Sequence, residues 1–395
     1  MTLTPAQGHY RPMKSAPQFS FKDVLRAPAR ALSAKQILVM TVFLIAGLAV
    51  YDIFTYLAFA FQGESVRSAF SAYGLFPFVQ TAFGNSWVQG LYWLGVAMAV
   101  LVVMLGFCGV SIINIEAVRG NRFCSARQAI RFALQRFRQI FLAELSIVVF
   151  VAFVVLLFFL LGLVSRIPYL GEWLYVLLFT LPNFIISLFI IFIIFVFTLT
   201  VLVLPAVAAA ERNGETFTAI LETFSTIILK PFQWAGYTAY SLAAAKVCSF
   251  IYAYFAYRAV EFLIWSSSLG GGESLERLAK ASLAHLPVKS DFVAEIFNIF
   301  PGVPFGVDVA AMAGFPSKDA LSYVMAFMIL LIFASILGYL LAIVAAAQAR
   351  GYVALRFMKD DYNIAEEPPL FFEDEPVNEP LTEDELAEFD NGKEA

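Results

Sequence analysis

The chain has 395 residues, of which 61% are hydrophobic and 14% charged, and its mean hydropathy is +0.78. Soluble domains sit near 45–50% apolar and about 25% charged, so a soluble globular protein is excluded and an integral membrane protein is implied. The net charge of −4 conceals an asymmetry: from Asp360 onward there are fourteen acidic residues and one Lys, about −13, which leaves about +9 on the rest.

Residues 1–35 form a basic arm, with Arg11, Lys14, Lys22, Arg26, Arg30 and Lys35 against Asp23. Within it FSFKDVLRAPARAL reads as a short interfacial segment anchored by Phe19, Phe21, Val24 and Leu25. The first apolar run, about 36–61, is too long and begins too late for a cleaved signal peptide, and is read as an uncleaved span. Five more spans follow at about 87–116, 139–164, 175–209, 233–264 and 321–350, each near the roughly 20 apolar residues that cross a bilayer, or longer. The fourth would extend about 52 Å as a straight helix, and Pro182-Asn183 predicts a split into a short outer segment and a true span.

Loop charge sets the orientation. Segment 117–138 carries Arg119, Arg122, Arg127, Arg131, Arg136 and Arg138 with no acid, and Arg350, Arg356 and Lys359 follow the sixth span. Loops 62–86 and 165–172 carry one basic residue each. Both termini are therefore expected in the cytoplasm, and segment 267–320 outside. The expected fold is all-α: a polytopic membrane helical bundle of six transmembrane helices with interfacial amphipathic helices. Three regions result: the arm 1–35, the transmembrane domain 36–358, and an acidic, Pro-broken tail 359–395 whose composition predicts disorder.

Two stretches have helical periodicity but are too polar on one face to span. In 216–229, Phe217, Ile220, Leu221, Phe224, Ile227 and Ile228 make an apolar face, and Thr218, Glu222, Thr223, Ser225 and Thr226 the other. Asn213 is placed to cap its start and Pro231 to end it. In 123–141, Phe123, Ala126, Ile130, Ala133, Phe137 and Phe141 form a stripe behind a Ser125/Gln128 capping box. Here the polar face is arginine-rich, and each Arg near an anionic leaflet contributes around 1 kcal/mol. Arg122, Arg127, Arg131 and Arg138 are the expected contacts to anionic headgroups, and membrane lipids the expected partners.

NIEAVRGNR, AAAERNGE and AAAQARGY each place small residues, an Arg and a Gly at a cytoplasmic helix end. Gly120, Gly214 and Gly351 are the expected helix-end turns. The echo has two explanations: a threefold repeat of helical hairpins, or the ordinary preference of Arg and Gly for helix C-termini.

With LPAVAAAERNGETFTAILETF after the fourth span and GYVALRF after the sixth, the layout resembles a prokaryotic family. This family contains the membrane domain of glycerophosphoryl diester phosphodiesterases and its stand-alone relatives. The His and paired acidic metal ligands of the phosphodiesterase domain are missing from this sequence, so the resemblance implies the membrane domain and no enzymatic activity.

Charges inside spans are functional candidates by default. Asp52 and Lys246 lie at matched depth, about 21–22 Å from the cytoplasmic ends of the first and fifth spans, where they could pair; alternatively Lys246 snorkels and Asp52 lies near the outer headgroups. Glu144, close to the start of the third span, is expected to pair with an Arg. The fifth span's Tyr237, Tyr240, Tyr252, Tyr254 and Tyr257 fit helix packing or an aromatic belt. Cys108, Cys124 and Cys248 lack paired spacing and the two His lie far apart, so neither metal nor cofactor is expected. The basic residues flank spans, which gives nucleic-acid binding no support. Phe371, Phe372 and Leu386 could anchor a protein partner of the tail. The expected role is non-enzymatic: a scaffold or accessory factor in envelope or lipid organisation, in the cytoplasmic (inner) membrane of a prokaryote. A small-molecule or lipid transporter is the alternative, and a lipid-modifying enzyme the third.

Overall fold

The computed structural model describes residues 19–77, 83–167, 170–271, 278, 281–282 and 320–371. Six helices in it are long and apolar enough to cross a membrane, which makes this a multi-pass helical membrane protein. Two short helices, α1 (Phe21–Leu25) and α2 (Ala27–Ala31), precede α3 (Ala34–Gln62). There follow α4 (Val66–Tyr73), α5 (Ser86–Val118), α6 (Ala126–Gln135), α7 (Phe137–Val164), α8 (Leu170–Leu174) and α9 (Thr180–Ala210). Last come α10 (Thr216–Leu229), α11 (Pro231–Gly271) and α12 (Ala320–Asp360). The spans are α3, α5, α7, α9, α11 and α12.

The expected split of the fourth span takes another form. Pro182 has no N–H to donate, and its ring crowds the carbonyl four residues back. The chain meets this with a π-helical turn, Tyr175–Phe179, immediately before α9, so it stays helical from Leu170 to Ala210.

The core lies at one end of the bundle, here called the basic end, where residues 19–33, 119–136, 211–230 and 361–371 gather. There α5, α9 and α12 pack against one another through small residues: Ala206, Ala208, Ala209, Ala342, Ala345, Ala346 and Ala349 are all buried. Such side chains let helix backbones approach closely, which drives association where lipid is as apolar as the protein. At Gly106 of α5 an added Cβ would lie 2.8 Å from Phe43 Cβ of α3, so that pair is as tightly seated as it can be. Away from this end the packing thins. Among the described residues between Val148 and Phe189, only Gly171 is buried, and Phe153, Phe159, Phe184 and Phe189 stand exposed as lipid-facing side chains do.

Three local expectations are corrected. α12 runs on through Gly351 to Asp360, so Gly351 is not a helix-end turn. Its missing side chain instead admits the Tyr237 ring, 3.2 Å from where a Cβ would stand. Gly120 and Gly214 do turn the chain, at φ 101° and 69°. The stripe over 123–141 belongs to two helices that meet at Arg136, and Phe123 precedes both. The expected Ser125/Gln128 capping box is formed. Finally, α10 has the predicted limits, but Glu215 and not Asn213 precedes its first turn, without a side-chain cap.

The orientation of α10 answers why an apolar chain should interrupt itself with a half-polar helix. Thr223 and Thr226 are buried against the protein, whereas Phe217, Leu221, Ile228 and Leu229 face outward, Phe217 with 70% of its surface exposed. The inward side is mixed: Ile227 is buried beside the two threonines and Ile220 and Phe224 pack against the core, so only part of the apolar face is left outward.

Candidate functional site

The basic end concentrates the structure's polar chemistry. Helix C-termini leave carbonyls without intrahelical donors, and arginines from elsewhere in the chain supply them. Arg119, just past α5, donates through Nη2 to the Ala210 carbonyl that ends α9, at 3.0 Å. Arg136 donates to the carbonyls of Glu211 and Arg212, at 2.6 and 3.0 Å. Lys35 serves the segment before α6 likewise, reaching the Arg122 and Cys124 carbonyls at 3.0 and 2.9 Å. A buried polar relay joins three spans: Arg350 Nε of α12 donates to Asn114 Oδ1 of α5 at 3.4 Å, and Asn114 Nδ2 donates to Gln36 Oε1 of α3 at 3.1 Å.

Residues 361–371 dock into this end, against the expectation that the whole tail from 359 is disordered. Glu116, with no solvent exposure, accepts backbone N–H bonds from Leu370 at 3.0 Å and Phe371 at 3.4 Å. Arg119, equally buried, pairs with Glu116 at 3.4 Å and also with Glu367. Glu367 further meets Arg212 Nε at 3.2 Å and the Tyr362 hydroxyl at 2.5 Å. Burial acts to raise the Glu367 pKa, but the Tyr362 hydroxyl and the two guanidiniums outweigh it and hold the carboxyl below the usual range. Asn121 Nδ2 donates to the Phe371 carbonyl at 2.8 Å, and the Phe371 ring packs edge-on to Phe132 of α6. Residues 372–395, including Phe372 and Leu386, lie outside the described residues.

A second knot adjoins the first. Arg356 bridges Glu211, Glu222 and Asp360, and donates to the Tyr352 hydroxyl at 2.6 Å. Lys359 donates to Glu222 at 2.7 Å and to Ser225 at 3.0 Å, which fastens the polar face of α10 to the end of α12. Between the knots lies a cavity of about 200 Å³ lined by Glu211, Arg212, Asn213, Arg356, Tyr362 and Glu367. Its acids and bases engage each other, which suits it to holding segments together.

The charges singled out within the spans do not meet. Asp52 accepts the Phe76 N–H at 3.0 Å beyond the far end of α3, and so braces a loop. Lys246 lies exposed on α11 and forms no ion pair among the described residues. Glu144 accepts from Thr200 Oγ1 of α9 at 3.0 Å and not from an Arg. Arg122, Arg127, Arg131 and Arg138 all point outward, while Arg119 and Arg136 of the same basic segment turn inward. Tyr237, Tyr240 and Tyr252 of α11 pack against Phe21 and Tyr339. Burial pushes the Cys124 thiol up to about 11, with Glu116 adding and Lys35 opposing.

Among the described residues, no three His, Cys, Asp or Glu come together as metal ligands. Glu116 is the residue that sequence reasoning missed, although an acid inside the apolar run SIINIEAV was the available signal. No protein-family model, curated protein or solved structure matches the chain.

Proposed function

We propose that this protein is a non-enzymatic scaffold or accessory factor that organises lipid at the cytoplasmic face of a prokaryotic inner membrane. The observation that carries the reading is the pair of outward surfaces at the basic end. α10 turns Phe217, Leu221 and Ile228 away from the protein, and Arg122, Arg127, Arg131 and Arg138 project from α6 and its flanks. An apolar face plus a cationic one is what an interfacial element needs to sit among anionic headgroups. At the basic end Arg119, Arg356 and Lys359 pair with Glu116, Glu367, Glu211 and Glu222, as in a framework. The transport alternative rests on Asp52, Lys246 and the expected break in the fourth helix; Asp52 holds the Phe76 amide, and Lys246 forms no ion pair among the described residues.

The test is lipid analysis of the protein purified from its native membrane. The parent should retain anionic lipid, and the R127Q/R131Q/R138Q variant should lose several-fold of it relative to neutral lipid. Unchanged lipid composition in the variant would overturn the reading.

A further inference from the structure

Where residue 371 stops, and beside what, carries a second step. Phe371 is held twice, at its carbonyl by Asn121 of the segment before α6 and at its ring by Phe132 of α6. Asn121 is the neighbour of Arg122, and the exposed Arg127, Arg131 and Arg138 follow along the same helix and its exit. The next residues begin Phe372, Glu373, Asp374, Glu375, and residues 372–395 carry ten acids against Lys393. A chain advances at most about 3.5 Å per residue, so Glu375 lies within roughly 14 Å of Phe371. α6 itself is about 15 Å long. The first three acids are therefore tethered to Phe371 within a length comparable with that of α6.

Tethering makes this pairing intramolecular, and short tethers give effective concentrations in the millimolar range. Opposite charge, short reach and high local concentration all name one occupant. We propose that residues 373–395 of this chain dock on the arginine face of α6 and compete there with anionic lipid headgroups, so that the tail sets how much acidic lipid the protein gathers. The competition rests on the headgroup reading above; the docking does not. α6 is then a surface with two exchanging partners, and its occupancy follows ionic strength, since exposed pairs weaken as salt screens them.

The full chain in lipid nanodiscs tests both parts separately. A spin label is placed at Leu381→Cys in a C248S background, in which the remaining Cys108 and Cys124 are buried. In phosphatidylcholine discs at low salt the label should be immobilised. R127Q/R131Q/R138Q, about 0.5 M salt, or about 30% phosphatidylglycerol should each free it. A label equally mobile in parent and triple variant, or one immobilised equally in both, overturns the docking. A label freed by the triple variant but indifferent to phosphatidylglycerol overturns the competition.

A chain ended after Phe371 reports headgroup binding without the tail, read by quenching from brominated phosphatidylglycerol against brominated phosphatidylcholine. It should prefer the anionic lipid roughly 3–10-fold more than the full chain does at low salt, and the two should converge at high salt. No anionic preference in the shortened chain would sink the headgroup reading, while the label in neutral discs still decides the docking. An equal preference in both chains would sink the competition.

Discussion

Arg119 is the residue whose removal should hurt most. Its side chain has no exposure, and it serves Glu116, Glu367 and the Ala210 carbonyl at once. Arg119→Met preserves the bulk and leaves Glu116 as a buried carboxylate without its cation. Breaking a buried pair in this way costs about 3–5 kcal/mol. Glu367→Gln should cost less, about 1–2 kcal/mol, because the amide keeps hydrogen-bonding capacity at a site that is 15% exposed. With about 2–4 °C per kcal/mol for sizeable domains, Arg119→Met should lower the apparent unfolding temperature in detergent by roughly 6–20 °C, and Glu367→Gln by roughly 2–8 °C. The double variant should lose less than the sum, since both changes break the same contact. Arg258→Met is the control. Its partner Glu261 is 2.6 Å away, but the two side chains are 57% and 43% exposed, and such pairs contribute at most about 1 kcal/mol. Arg119→Met within about 2 °C of the parent, or no more damaging than Arg258→Met, would refute the reasoning.

Three further outcomes are expected. Asp52→Asn and Lys246→Met should have additive effects on thermal stability, because Asp52 holds the Phe76 amide and Lys246 lies elsewhere; a double variant that recovers the loss would show that they meet. A cysteine at Ser68 should react with a membrane-impermeant reagent in intact cells and one at Gln135 should not, both positions being exposed; the reverse pattern would invert the topology. Because the Glu367 carboxyl is held below its ordinary value of 4.5, its contribution is complete above that value and is lost as pH falls through the folded one. Hydrogen exchange at the Leu370 and Phe371 amides, corrected for the intrinsic rate, should therefore quicken in acid, and Glu367→Gln should remove that dependence on pH.

The spans were legible in the sequence because each is a local signal: an apolar run of sufficient length bounded by polar residues. α10 was legible for the same reason, with Pro231 fixing its end. The face it turns inward was not, since periodicity separates two faces without saying which meets protein. Gly351 misled because its local setting matches those of Gly120 and Gly214. The difference is Tyr237, more than a hundred residues away, packed where a side chain would stand. Asp52 and Lys246 show the limit of depth arguments, which place a residue along the helix axis but not around it. The docked segment 361–371 was hidden because an acidic, Pro-containing stretch reads as disorder. What orders it, Glu116 and Arg119, lies some 250 positions earlier.

That separation fixes when the molecule can be finished. Glu116 and Arg119 emerge with the second span, whereas the amides of Leu370 and Phe371 and the carboxylate of Glu367 come from the last described residues of the chain. Throughout synthesis of the four intervening spans, the end of α5 lacks its partners from residues 367–371. Until residues 367–371 are made, Glu116 keeps Arg119 as its partner but lacks the two amides, and Arg119 lacks Glu367. The contact that ties the end of α5 to the segment after α12 can therefore form only after all six spans have been made.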